Sequence, residues 1–170
     1  MNDRRLQVFA TVLGARLLQR GWVMTCAESC TGGWLAKCVT DVAGSSAWFE
    51  RGWVTYGNAA KQQLLGVDAA VLSRYGAVSE QTVRAMLTGA LHRATADLGV
   101  SISGIAGPGG AVAGKPVGTV WLAWGRRAGE VYVQHRCFAG DRDTVRRAAT
   151  ACALRGLLAL TKARPDCGGG

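Results

Sequence analysis

The sequence lacks any long apolar run, and this absence excludes a membrane-spanning helix. Its most apolar stretches, residues 100–105 and 117–124, are far shorter than the roughly 20 residues that such a helix requires. The start, Met-Asn-Asp-Arg-Arg, leads into an amphipathic helical pattern and shows no secretion signal. We therefore expect a cytoplasmic protein without a membrane anchor.

Histidine is also scarce, and this disfavours a metal centre. His92 and His135 are the only two, and both lie far in sequence from Cys26 and Cys30, with no spacing typical of metal ligands. The six cysteines are scattered through segments predicted as strands and helices, in a chain that is 49% hydrophobic. We expect reduced, mostly buried thiols instead of a disulfide framework, and no metal.

Acidic residues are few: 20 Lys and Arg residues face 11 Asp and Glu residues, which gives a formal net charge of +9. This charge favours anionic partners, from phosphorylated metabolites to nucleic acid, without choosing among them. The basic residues form no long run, so most are expected on solvated helix faces and turns.

The length of 170 residues suits one domain, expected over residues 1–163, followed by a disordered glycine-rich tail over residues 164–170.

Hydrophobic periodicity predicts helices alternating with strands. Helices are expected at Leu6–Gln19 (ending at Gly21), around 34–39, as a pair within 57–74, after an N-cap at Ser79, and at Arg142–Lys162 after an N-cap at Asp141. Strands are expected at Trp22–Ala27, Phe49–Tyr56 and Val100–Ile105, and as an antiparallel hairpin of Val117–Trp124 and Val131–Phe138 that turns around Gly125 and Gly129. The pattern predicts the α/β class, with one three-layer α/β/α domain and a mixed β-sheet.

Two glycine-bearing loops, residues 28–33 and 104–110, each follow a predicted strand directly. Ligands of open α/β sheets bind beyond the carboxyl ends of the strands. Glycine permits close approach of backbone amides to a phosphate or an oxyanion. The candidate binding residues in these loops are Glu28, Thr31, Gly32, Gly33, Gly104 and Gly107.

Ser29 stands on the first loop, ahead of a predicted helix, where a nucleophile or an N-cap is typical. A serine nucleophile needs an adjacent base, and neither histidine lies in a loop expected to approach it. Lys61 is the available substitute if burial lowers its pKa, although most lysines are solvated. Tyr56 could relay a proton, but a tyrosine at a strand end is also typical of a core aromatic.

Several ordered strings in the sequence resemble the CinA carboxy-terminal domain family over about residues 6–160. They are Thr25-Cys26-Ala27-Glu28-Ser29-Cys30-Thr31-Gly32-Gly33, Gly44-Ser45-Ser46, Gly52-Trp53-Val54-Thr55-Tyr56 with Lys61, Gly76-Ala77-Val78-Ser79, Ser101-Ile102-Ser103-Gly104-Ile105-Ala106-Gly107-Pro108, Lys115-Pro116-Val117-Gly118-Thr119 and Gly140-Asp141-Arg142. Many relatives carry threonine at the position of Ser103, which keeps a hydroxyl.

The resemblance implies a stand-alone nicotinamide-nucleotide amidohydrolase that converts nicotinamide mononucleotide and water to nicotinate mononucleotide and ammonia in pyridine nucleotide recycling. It implies no cofactor and a homo-oligomer. The family's functional positions fall on Glu28, Ser29, Ser46, Tyr56, Lys61, Ser103 and Arg142. Either Ser29 or Ser46 is the nucleophile, with Ser29 preferred, and Lys61 is the base. Tyr56 and Ser46 are expected to orient this pair. Arg142 is expected to bind the ribose phosphate.

Two other functions are consistent with parts of the sequence. The net charge, together with the family's link to DNA uptake, suggests a nucleic-acid-binding module, but no recognisable binding motif or basic stripe supports it. A catalytically silent nucleotide sensor would keep the glycine loops and lose the serine and lysine. Since Ser29 and Lys61 are both present, the enzyme is preferred over either alternative.

Overall fold

The structure is a computed structural model that describes residues 2–162, where helices alternate with the strands of one sheet. The helices are α1 (Asp3–Arg20), α2 (Trp34–Thr40), α3 (Asn58–Leu65), α4 (Ala69–Tyr75), α5 (Glu80–Arg93) and α6 (Arg142–Leu160), with a short 3-10 helix at Ser45–Ala47. The strands are β1 (Met24–Glu28), β2 (Phe49–Val54), β3 (Leu98–Gly104), β4 (Thr119–Arg126) and β5 (Val131–Cys137). None of the helices in this part of the chain has the length and apolarity needed to cross a membrane.

The predicted elements are confirmed in type and order, and the differences lie at their ends. Helix α1 begins three residues earlier than predicted because the Asn2 side chain accepts a hydrogen bond from the Arg5 amide and caps the helix. Gly125 belongs to β4, so the β4–β5 turn comprises residues 127–130 and not a segment starting at Gly125. The predicted tail, residues 164–170, lies outside the described residues.

The sheet has five strands in the order β2-β1-β3-β4-β5. Strand β1 pairs in parallel with both β2 and β3, whereas β4 is antiparallel to β3 and to β5. All five residues of β1 are buried, as expected for a central parallel strand covered on both faces. The carboxyl ends of β1, β2 and β3 therefore lie together at one end of the sheet.

Helices cover both faces of the sheet, which makes the molecule a three-layer α/β/α structure. Helices α1, α2 and α6 contact one another on one face, where Leu13, Leu17 and Leu154 belong to the larger apolar core with Met24 and Ile102 of the sheet. Helix α5 lies on the other face with α3 and α4 beside it. Each fully buried leucine contributes roughly 1.5–3 kcal/mol of stabilisation, so these two cores hold the strand ends in fixed positions.

Helix α3 lies unusually close to α5, and a glycine makes this approach possible. A Cβ added at Gly89 would lie 1.9 Å from the carbonyl oxygen of Leu65, well inside van der Waals contact. The close crossing holds the last turn of α3 against the core. Lys61 lies one turn earlier on the same helix and is buried with it.

Candidate active site

A cavity of about 260 Å³ opens at the carboxyl ends of the parallel strands. This is the position at which open α/β sheets bind ligands. Its lining comes from segments distant in sequence: Ser29 and Cys30 after β1, Tyr56 after β2, Lys61 on α3, Ala77 and Val78 before α5, Ser103 and Gly104 at the end of β3, residues 105–107 with Gly109 and Gly110 in the loop after it, and Arg142 at the start of α6.

Ser29 and Lys61 are hydrogen-bonded to each other in this cavity. The Lys61 Nζ lies 3.1 Å from the Ser29 Oγ, and it also lies 2.8 Å from the Thr55 carbonyl oxygen and 3.1 Å from that of Tyr56. A neutral lysine amine has two N–H bonds and one lone pair. The two carbonyls accept the N–H bonds, so the lone pair of the neutral form faces the serine hydroxyl.

Burial favours that neutral form. The Lys61 side chain has no exposed surface, and burial lowers its pKa below the ordinary value of 10.5, opposed only weakly by the neighbouring Cys30. Among the described residues, no carboxylate forms an ion pair with Lys61. A buried lysine without a paired carboxylate is suited to act as a proton acceptor.

Cys30 also lines the cavity, next to Ser29, but its thiol is poorly suited to act as a nucleophile. Burial, together with the nearby Glu28 charge, raises its pKa to about 12 against the opposing effects of a backbone hydrogen bond, Arg146 and Lys61. The reactive form of cysteine is the thiolate, which is scarce at such a pKa. The Ser29 hydroxyl is therefore the better candidate for a nucleophile.

The turn that carries Ser29 is fixed from both sides. The buried Glu28 carboxylate accepts hydrogen bonds from the amides of Gly33, Leu35 and Ala36 at 2.9–3.1 Å, which are unpaired donors at the start of α2. On the other side, Arg146 of α6 donates to the carbonyls of Cys30 and Thr31. These contacts hold the β1–α2 turn rigid, with Ser29 at the edge of the cavity.

Arg142 and Tyr56 bridge the mouth of the cavity. Arg142 donates one hydrogen bond to the Gly107 carbonyl at 2.7 Å and another to the Tyr56 hydroxyl at 2.9 Å. Asp141 caps α6 immediately before Arg142 and fixes the start of that helix. Tyr56 is 58% exposed, so this tyrosine borders solvent and is not the core aromatic that its strand-end position also allowed.

Ser103 connects two walls of the cavity. It lies near the end of β3, is 1% exposed, and donates a hydrogen bond of 2.7 Å to the Ala77 carbonyl in the segment between α4 and α5. A threonine hydroxyl at this position would make the same bond. The bond fixes the distance between the second glycine loop and residues 77–78.

The structure brings together seven of the predicted site residues: Ser29, Tyr56, Lys61, Ser103, Gly104, Gly107 and Arg142. Four others lie near Ser29 in sequence but face elsewhere. Glu28 points into the start of α2, Thr31 is fully buried, and Gly32 and Gly33 border a separate hollow with Trp34 and Arg146. Of the four candidate binding glycines, only Gly104 and Gly107 line the cavity.

Ser46 lies away from the cavity in this chain. It belongs to the exposed 3-10 helix that precedes β2, whereas Tyr56 follows β2. The six residues of β2 separate these two points by roughly 20 Å at about 3.3 Å per residue. The structure thus places Ser29, and not Ser46, beside Lys61, and the predicted role of Ser46 as an orienting group has no contact here to support it.

Sequence reasoning missed the wall made by Ala77 and Val78 and the carbonyls that hold Lys61. The predicted N-cap at Ser79 could have located this wall. A helix that follows the carboxyl end of a strand begins at that end of the sheet, so the residues just before its N-cap lie near the cavity. Neither histidine lines the cavity, and His135 packs against Trp121 on the β4–β5 hairpin.

The charges that line the cavity are all positive. Arg142 supplies the positive charge, Lys61 adds a buried basic amine, and no aspartate or glutamate among the described residues lines the cavity. Among residues 2–162, no group of three or more histidine, cysteine, aspartate or glutamate side chains is arranged to hold a metal ion. The lining suits a substrate that carries an anionic group and a reacting centre next to Ser29.

Proteins of similar sequence carry one recurrent name. The nicotinamide-nucleotide amidohydrolase PncC of Escherichia coli strain K12 is 56% identical over 157 residues, which cover 92% of this chain and 95% of that protein. The protein of the same name from Enterobacter agglomerans is 54% identical over 155 residues, covering 91% and 94%.

Solved structures agree with this likeness. The competence/damage inducible protein CihA from Agrobacterium tumefaciens superposes with a TM-score of 0.90 at 43% identity, over 94% of this chain and 96% of that one. A CinA superfamily protein from Klebsiella pneumoniae gives 0.87 at 40% identity, over 95% and 99%. The CinA C-terminal domain pattern itself matches residues 6–161, and the chain belongs to that family.

Proposed function

We propose that this protein hydrolyses the carboxamide of nicotinamide mononucleotide to give nicotinate mononucleotide and ammonia, with Ser29 as nucleophile and Lys61 as base. The observation that carries the proposal is the 3.1 Å contact between the Lys61 Nζ and the Ser29 Oγ at the wall of a cavity. Relatives with about 55% identity over more than nine tenths of both chains bear the name of this activity. The reaction belongs to pyridine nucleotide recycling.

The first half-reaction forms an ester on Ser29. Neutral Lys61 takes the hydroxyl proton as the Oγ attacks the carboxamide carbon, and a tetrahedral intermediate forms. When the C–N bond breaks, the proton on Lys61 passes to the departing nitrogen and ammonia leaves. The two carbonyls that accept from the Lys61 Nζ keep the amine in place while it gains and loses this proton.

The second half-reaction releases the carboxylate. A water molecule attacks the ester carbon while Lys61 accepts one of its protons, and the bond from that carbon to the Ser29 Oγ breaks. Lys61 then returns the proton to Ser29, and nicotinate mononucleotide leaves. Each half-reaction restores the neutral amine, so Lys61 serves as base and acid in turn.

Two further groups are assigned by their position in the cavity. Backbone amides of the lining loops, around Cys30 and Gly107, are the candidates for binding the oxyanion, and removal of one good donor costs roughly 3–4 kcal/mol of transition-state stabilisation in related chemistry. Arg142 at the mouth is suited to the ribose phosphate, because a guanidinium can donate two parallel hydrogen bonds to phosphate oxygens.

The experiment that tests the proposal is ammonia release from nicotinamide mononucleotide by chelator-treated protein, with Ser29→Ala beside the wild type. We expect turnover that survives the chelator and falls to the background rate in the variant. Rapid quenching followed by mass measurement of the intact protein should show a nicotinoyl-nucleotide adduct on Ser29. A folded wild type without turnover of this substrate would refute the proposed activity, and turnover without dependence on Ser29 would refute the mechanism.

A further inference from the structure

A second concave surface lies on the far side of the molecule, between strand β5 and helix α6. It consists of two adjoining hollows of about 240 and 370 Å³ that share Trp124, Tyr132 and Gly156. We call it the β5–α6 groove and define it by those three residues with Arg136, Cys152 and Arg155. It shares no lining residue with the catalytic cavity.

The floor of the groove is aromatic because α6 carries a glycine where it crosses β4. A Cβ at Gly156 would lie 2.2 Å from the Trp124 indole, so only glycine allows the ring to lie against the helix. The indole is fixed there by a hydrogen bond of 2.9 Å from its Nε1 to the Ala153 carbonyl. Tyr132 lies opposite Trp124 on β5 and is 55% exposed, so an aromatic side chain borders the groove at the solvent.

The rim of the groove carries two arginines. Within the described part of the chain, neither Arg136 nor Arg155 forms an ion pair with a carboxylate. Arg155 stacks over the Phe9 ring at 5.4 Å, a contact that uses the face of the guanidinium and leaves donors in its plane. Both arginines line the same hollow, together with the Cys152 thiol.

From these contacts we propose that the β5–α6 groove binds a nucleoside monophosphate, at a site separate from the catalytic cavity. Arg136 and Arg155 bind the phosphate, and the base stacks on the exposed Tyr132 ring, beside the largely buried Trp124 indole. Base–aromatic stacking and paired guanidinium–phosphate contacts are the chemistry that proteins use for such ligands. The volume of the larger hollow falls within the range of small-molecule sites.

The groove lies far along α6 from Arg142, the first residue of that helix. Gly156 follows Arg142 by 14 positions, which corresponds to roughly 21 Å at 1.5 Å per residue. One helix therefore extends from the catalytic cavity to the groove. A ligand in the groove leaves Ser29 and Lys61 untouched, so the two sites can be tested independently.

The experiment uses adenosine monophosphate as the probe, since it has no carboxamide to be hydrolysed. Calorimetric titration of the full chain gives the affinity, and ¹H–¹⁵N spectra report the site through the Trp124 indole N–H peak, assigned by its loss in Trp124→Phe. Binding is measured for wild type, Arg142→Gln, Arg136→Gln, Arg155→Gln and Tyr132→Ala. Arg4→Gln is the matched control, because Arg4 is an exposed arginine on α1 outside the groove.

We expect binding that survives Arg142→Gln and Arg4→Gln, moves the Trp124 indole peak, and weakens at least tenfold in both Arg136→Gln and Arg155→Gln. Adenosine and inorganic phosphate should each bind more weakly than the nucleotide. The inference is overturned if adenosine monophosphate does not bind at millimolar concentration, or if it binds with no effect on the Trp124 peak. It is also overturned if Tyr132→Glu dissociates a homo-oligomer, since the groove would then be an interface between copies.

Discussion

The Lys61 Nζ lies 3.1 Å from the Ser29 Oγ, although the two residues are 32 positions apart, with α2, the short 3-10 helix and β2 between them in the chain. The contact forms because β1 and β2 are parallel neighbours, so the turns that follow them lie side by side. Thr55, at the end of β2, donates its amide to the Glu28 carbonyl and extends this pairing as far as the two turns. The pair thus depends on strand register as well as on local sequence.

Replacing Lys61 should abolish catalysis whether or not the positive charge is kept. Arginine stays protonated at all accessible pH values and methionine has no proton acceptor, so neither can replace a neutral amine. We expect Lys61→Arg and Lys61→Met each to lower kcat by about 10²–10⁴-fold in an ammonia-release assay. A Lys61→Arg protein with near wild-type kcat would show that only the charge matters and would contradict the role of Lys61 as base.

The rate should rise with pH and level off below the ordinary lysine pKa of 10.5. Burial lowers the pKa of Lys61, and the reactive neutral fraction grows as pH passes through that lowered value. The measurement is kcat/KM for nicotinamide mononucleotide across the stable pH range. A rate that falls over the range in which Lys61 loses its proton would mean that the ammonium form is the active one.

Ser46→Ala should leave most of the activity, in contrast to Ser29→Ala. Ser46 is exposed and lies before β2, whereas Ser29 contacts Lys61. We expect kcat within about threefold of wild type for Ser46→Ala, because exposed substitutions away from a site have small effects. The assignment of the nucleophile would be reversed if Ser46→Ala were inactive and Ser29→Ala active.

Arg142→Gln should weaken binding of the phosphorylated substrate selectively. A charge-assisted contact contributes roughly 1.5–3 kcal/mol, so KM for nicotinamide mononucleotide should rise about 10- to 150-fold. Nicotinamide riboside lacks the phosphate and should show a much smaller difference between the two proteins. Arg84→Gln, at an exposed arginine of α5, is the control. Equal losses for both substrates would mean that Arg142 acts through Tyr56 or Gly107.

Glu28→Gln should destabilise the protein more than a surface glutamate does. The Glu28 carboxylate accepts three amide hydrogen bonds, and a glutamine NH₂ would face some of these donors. We expect the free energy of unfolding in urea to fall by about 2–3 kcal/mol. Glu80→Gln, in an exposed pair with Arg84, should cost less than about 1 kcal/mol. Equal costs would remove the structural role assigned to Glu28.

Local signals in the sequence predicted much of the fold. Gly21 ends α1, Ser79 caps α5 and Asp141 caps α6, each through contacts within a few residues. These preferences depend on short-range hydrogen bonds, so they can be seen without knowing the rest of the structure. The order of the strands could not be predicted in this way, because it depends on contacts between residues distant in sequence.

The site was predicted in part for the same reason. The loops that carry Ser29 and Gly107 follow strands directly, and this placed them at one end of the sheet. The burial of Lys61 depends on how α3 packs against α5. The direction of the Glu28 side chain, toward the cavity or toward α2, depends on the conformation of the turn that joins β1 to α2. Thr31, Gly32 and Gly33 are adjacent in sequence to Ser29, but the turn directs them away from the cavity.

The reversal of strand direction after β3 places the β4–β5 turn at the end of the molecule remote from the reactive groups. The turn between β4 and β5, residues 127–130, lies at the end of the sheet opposite the catalytic cavity. Added residues there would lengthen the hairpin without displacing the strand ends that carry Ser29, Tyr56 and Ser103. This turn is therefore the natural attachment point for a fused domain or label, and the place where related chains can vary in length while the chemistry is preserved.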